Sequence, residues 1–79
     1  MDKLVDIANR AVADYGFRQA VLYSPEDIGR RTGFSQEEQA VLEGTVLELL
    51  AALPIPLEPE DIPGEQAKMA TAIQAAAGA

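Results

Sequence analysis

Four of the chain's five prolines fall within eleven residues: Pro54, Pro56, Pro59 and Pro63, in the run PIPLEPEDIPG at 54–64. Proline lacks a backbone N–H and fixes its own φ, and it pushes the preceding residue out of the helical region. The run therefore reads as extended, neither the interior of a helix nor a central strand. It divides the chain into parts of different character. Residues 1–53 carry Leu, Val and Ile at helical spacing, whereas the stretch EQAKMATAIQAAAGA is rich in alanine and poor in large apolar side chains. The expected organisation is a helical domain at 1–53, a Pro-rich acidic linker at 54–64 and an Ala-rich flexible tail at 65–79. Ile55, Leu57 and Ile62 have two readings, a strap laid along the helices or an acidic spacer in water.

The spacing predicts an all-α fold. It consists of a small bundle of three to four helices across 2–53, a Pro-rich extended segment and a weak C-terminal helix. Asp2 is a candidate N-cap, and Leu4, Ile7, Ala8, Ala11, Val12 and Tyr15 share one face. Gly16 is placed to end that helix. FRQAVLY (17–23) either extends it or forms two turns of its own. Ser24-Pro25-Glu26-Asp27 is a helix start, with a hydroxyl to cap, proline at the first position and acids at the positive end of the dipole. That short helix stops at Gly33. Ser35 and Glu38 have the spacing of a capping box. From about Gln36 to Leu53, Val41, Leu42, Thr45, Val46, Leu49, Leu50 and Leu53 form the strongest apolar face in the chain. Gly44 lies inside it, where close approach of a neighbouring helix is the favoured reason. The expected core sets Leu4, Ile7 and Ala11 against Val46, Leu49 and Leu50, closed by Phe17, Leu22 and Phe34. The tail's stripe is thin (Ala67, Met69, Ala70, Ile73 and Ala77), and an isolated helix of that length is marginal in water.

The chain has no cysteine and no histidine among its 79 residues. Zinc, haem and iron–sulfur sites built on those ligands, and nucleophilic catalysis by a cysteine or through a histidine base, are outside its chemistry. No residues stand out as catalytic, none as metal ligands, and no cofactor is expected. The acidic set Glu58, Glu60, Asp61 and Glu65 lacks the spacing of a calcium loop. A formal net charge of −7 disfavours nucleic acid and anionic membranes as partners. No apolar run approaches the roughly 20 residues of a spanning helix, and the N-terminus has no signal-peptide layout, so a cytoplasmic protein is expected. Such a chain acts through what it binds. Arg30-Arg31 is the only basic cluster and either grips an acidic partner or complements the end of its own helix. Tyr15, Phe17, Tyr23 and Phe34 are either core or anchors for a partner.

The segment FRQAVLYSPEDIGRRTGFSQEEQAVLEGTVLELL resembles the small helical subunit of the extradiol, protocatechuate-type ring-opening dioxygenases. It also resembles related leader regions of ribosomally synthesised, post-translationally modified peptides. The shared layout falls on Phe17, Arg18, Leu22, Pro25, Gly33, Phe34, Ser35, Glu37, Glu38, Ala40 and Leu42, and it covers less than half of the chain. In the dioxygenases the metal ligands belong to the large subunit, so the resemblance transfers no catalytic residue. It implies a helical module that docks onto a larger enzyme; together with the basic cluster and the aromatic side chains, the residues expected to bind the partner are Phe17, Arg18, Tyr23, Arg30, Arg31 and Phe34. For the peptide precursors it further implies a folded N-terminal part that recruits the enzyme and a C-terminal part that is modified. This tail has no Cys or Ser, and its only hydroxyl is on Thr71. That argues against thioether, thiazole or dehydrated products and leaves backbone modification near Ile73, or a leader ending near Ala77-Gly78-Ala79. The leading expectation is a non-catalytic precursor or leader that binds its modifying enzyme. A small accessory subunit and a self-associating module, a homodimer sharing the Leu-rich face of 41–53, are the alternatives.

Overall fold

The computed structural model describes residues 1–78. Helix α1 (Asp2–Ala13) is followed by α2 (Tyr15–Tyr23), α3 (Pro25–Thr32) and α4 (Gln36–Val41). A π-helical turn at Leu42–Val46 leads into α5 (Leu47–Ala51). After a proline strap and a 3-10 turn at Pro59–Asp61, α6 (Ile62–Gly78) closes the chain. No strand forms among the described residues. One core joins Leu4, Ala8, Ala11 and Val12 of α1 to Val21 of α2, to Val41, Leu42, Val46, Leu50 and Leu53, and to Met69 and Ile73 of α6.

The first helix ends earlier than its periodicity suggests. Asp14 is extended (φ −127°, ψ 109°), and its carboxylate accepts from the Phe17 N–H at 3.1 Å, so it ends α1 and caps α2 at once. A short polar side chain that satisfies an orphan N–H is what an N-cap requires. Gly16 therefore lies inside α2 rather than ending α1, and Met1, not Asp2, occupies the N-cap position of α1. The later starts fall where the capping signals put them. Pro25 sits at the first position of α3, and Gly33 ends it in the left-handed conformation (φ 79°). Ser35 and Glu38 complete a reciprocal capping box at 3.1 and 2.9 Å.

The expected single helix from 36 to 53 is interrupted by the π turn. An i→i+5 turn takes one residue more than an α turn. Everything after it lags by one position, or roughly 100° of helical phase. Leu49, placed by α periodicity at the centre of the apolar face, is carried to the edge and is 36 % exposed, while Leu50 is buried. Gly44 is not a site of close approach, because a Cβ there would meet nothing within 4 Å. Ile7 is only partly buried, and Phe17, Leu22 and Phe34 lie partly buried against the core.

The largest corrections concern residues 54–78. Helix begins inside the proline run, because Pro59 opens the 3-10 turn and Pro63 falls in the first turn of α6, where no N–H is needed. Of the strap residues, Leu57 and Ile62 pack partly against the core and Ile55 faces water. In place of a frayed tail, α6 is continuous and lies along α1, α4 and the π turn. Met69 and Ile73 are in the core, and Gln66 Nε2 donates to the Asn9 carbonyl at 3.0 Å. Burying a side chain of that size is worth about 1.5–3 kcal/mol. Two of them give α6 the tertiary support that a lone helix of its length lacks. The last residue of the expected tail, Ala79, lies outside the described residues.

Candidate interaction surface

Three elements position the surface. The α1–α2 corner is held by Asp14 and, from the other side, by Arg18. Arg18 is 4 % exposed; its Nε donates to the Ala11 carbonyl at 3.0 Å and its Nη2 to the Val12 carbonyl at 2.8 Å. The last carbonyls of a helix lack intrahelical partners and carry the negative end of its dipole. A guanidinium, which keeps its charge and has five donors in a rigid fork, suits that place. Its carbon also lies 5.5 Å from the centre of the Tyr15 ring. Arg18 is therefore corrected from a partner-binding residue to one that clasps the end of α1. Phe17 is partly withdrawn too, with the Arg10 guanidinium 4.0 Å above its ring.

Helix α3 is fixed at both ends. Gln39 Nε2 donates to the Pro25 carbonyl at 3.1 Å, and Lys3 Nζ to the Gly33 carbonyl at 3.2 Å. Gly29 is buried against α4, where an added Cβ would overlap the Gln39 side chain. The outer surface of α3 carries Arg30 and Arg31, exposed and paired with Asp27 at 3.1 and 3.0 Å. Exposed i,i+3 and i,i+4 pairs contribute at most a few tenths of a kcal/mol, so a partner can draw these guanidinia away at little cost. Tyr23, at the end of α2, is 85 % exposed.

Two shallow depressions share Glu26 and Arg30. One, of about 300 Å³, is bordered by Tyr23, Pro25 and Asp27. The other, of about 270 Å³, runs from Gly29 to Phe34 and Gln39. The structure thus brings together Tyr23, Arg30 and Phe34 of the six expected residues and sets Arg31 nearby on the same helix. Phe17 and Arg18 belong to a separate corner. Beside that corner is a third recess of about 350 Å³, lined by Val12, Tyr15, Arg18, Ile55, Leu57 and Ile62 among others. Its large apolar members Tyr15 and Ile55 are exposed, at 51 % and 72 %. Sequence reasoning did not find this recess, since its walls are forty residues apart and meet only because α6 returns along α1.

Of the Leu-rich face of 41–53, Val41, Leu42, Val46, Leu50 and Leu53 are buried in the chain's own core, while Leu49 is exposed. Among the described residues, no three His, Cys, Asp or Glu side chains cluster as metal ligands would, and no helix is long and apolar enough to cross a membrane.

The Glu38 carboxylate is held below its ordinary range. The main cause is the hydrogen bond it accepts from the Ser35 N–H; partial burial opposes this, and the Met1 ammonium at 3.4 Å and the Ser35 hydroxyl support it. This is the electrostatics of a helix cap.

No protein-family model, curated protein or solved structure matches the chain.

Proposed function

We propose that the chain is a non-catalytic recognition protein that docks onto a larger peptide-modifying enzyme, in the manner of a precursor or leader, through the α2–α3 edge. The observation that carries this reading is Tyr23, a large aromatic side chain almost wholly in water, at the rim of a depression it shares with Arg30. Tyrosine and arginine are enriched among the residues that dominate interface energies. The segment with the family resemblance, 17–53, contains this edge. The direct test is calorimetric titration of the chain into a candidate modifying enzyme encoded beside it. Tyr23→Ala and the charge reversal Arg30→Glu should each weaken binding about tenfold or more while leaving the melting temperature of the free chain unchanged. Unaltered affinity in both variants would move the docking face elsewhere.

A second reading, a small accessory subunit, is favoured by one observation. The side chains of Met69 and Ile73 are part of the core, so chemistry deep in residues 65–78 would require α6 to leave α1. Intact mass and fragmentation of the C-terminal peptide after co-expression separate the two. A mass shift there supports a precursor, and an unmodified tail in a stable complex supports an accessory subunit.

A further inference from the structure

We propose that the recess between the α1–α2 corner and the proline strap binds a small monocarboxylic acid with an apolar body. Its volume of about 350 Å³ lies at the lower end of the range of small-ligand sites. The walls supplied by Val12, Tyr15, Ile55, Leu57 and Ile62 are mostly hydrocarbon and aromatic surface. Arg18 is the exception. Its side chain is buried, and like the more exposed Lys3 and Arg10 it has no carboxylate partner among the described residues, whereas Arg30, Arg31 and Lys68 each have one. Its Nε and Nη2 donate to two neutral carbonyls, and Nη1, which donates to no group among the described residues and is not one of their buried unpartnered atoms, is open to water.

The Arg18 guanidinium sets a positive charge beside the apolar walls of the recess. The recess offers two surfaces to a ligand: a guanidinium for an anion, and the apolar sides of Tyr15 and Ile55 for an apolar body. A carboxylate joined to an aromatic ring or short alkyl chain engages both. Its oxygens accept charge-assisted hydrogen bonds from the guanidinium, and its body displaces water from the walls. The chain's net charge of −7 narrows the class further. It repels multiply charged anions such as nucleotides at long range, while a single charge held at hydrogen-bonding distance is least affected.

The test is an NMR titration of the ¹⁵N-labelled full chain with 3-phenylpropionate and, in parallel, its neutral amide. The acid should produce saturable shifts at Val12, Ala13, Tyr15, Ile55 and Leu57 and should move the Arg18 Nε–H resonance. The amide should bind about tenfold more weakly. Ile55→Asp sets a like charge at the exposed rim without touching the core and should abolish the shifts with the melting temperature unchanged. Arg18→Lys keeps the charge but loses the fork and should weaken the acid alone. Equal affinity for acid and amide, shifts that do not saturate or that map to another surface, or full binding by Ile55→Asp would each overturn the proposal.

Discussion

The stretch from Gln36 to Ala51 and helix α6 reach the same core by opposite routes. The first has the strong apolar pattern, a capping box and six large or β-branched residues of one helical face, yet it is broken by a π turn. The second begins in a proline run, carries alanines and only three large apolar side chains, Ile62, Met69 and Ile73, and is continuous from Ile62 to Gly78. A dense apolar pattern can be satisfied in more than one phase, so tertiary contacts choose which leucines go in. A sparse pattern offers one solution, Met69 and Ile73 inward, and the small residues around them allow the helix to lie close along α1.

This contrast is sharpest if α6 is weakened at its two inward residues. Ile73→Ala should cost about 2–5 kcal/mol in chemical denaturation, and Thr71→Ala, on the exposed side of the same helix, no more than about 0.5 kcal/mol. If Ile73→Ala left stability intact, α6 would not be part of the core, and the reading of 65–78 as a free tail would return. In the other region, the phase lag predicts that Leu50→Ala falls in the same 2–5 kcal/mol range and Leu49→Ala stays below about 1 kcal/mol. Reversal of that order would mean an unbroken α-helix through 42–46.

Smaller effects test the caps and the glycine. Ser35→Ala should cost about 1 kcal/mol through loss of the cap. The same motif sets a pH dependence. A carboxyl whose pKa is depressed on folding contributes stability that is complete above its unfolded pKa and is lost as pH falls through the folded one. For Glu38 that loss begins below its ordinary value of 4.5. Urea melts across acid pH should therefore show a decline that is shallower in Glu38→Gln. Smallest of all, Gly44→Ala should stabilise the chain, by up to about 1 kcal/mol, since the added methyl meets nothing and alanine is the better helix former. A destabilised Gly44→Ala would show that the π turn needs glycine's freedom.

What could be read without the structure follows the range of the interactions involved. The starts at Pro25 and Gln36 and the stop at Gly33 depend on contacts within four residues, and the sequence pattern places them. The all-α class follows from periodicity in the same way. Asp14 was less visible because it acts as a cap in both directions and Gly16 offered a stronger stop signal nearby. The inward turn of Arg18 depends on where α2 folds back against the last carbonyls of α1, which no local pattern encodes. The exposure of Tyr23, by contrast, follows from its place at the very end of α2, and it stood among the expected anchors. The recess at Tyr15 and Ile55 needs α6 to come back along α1, a long-range event.

The π turn also bears on how the chain's length can vary. A π turn is an α turn holding one surplus residue. Removing a single position from 42–46, Gly44 for instance, would close it to an ordinary turn while Val41 before it and Leu50 after it keep their directions. A deletion at most places inside a helix rotates all that follows away from its partners, but here it costs one loop of backbone and no packing. Loss of one codon is thus tolerable at this place, and gain of one is not, because a second surplus residue would turn Leu50 and Leu53 out of the core.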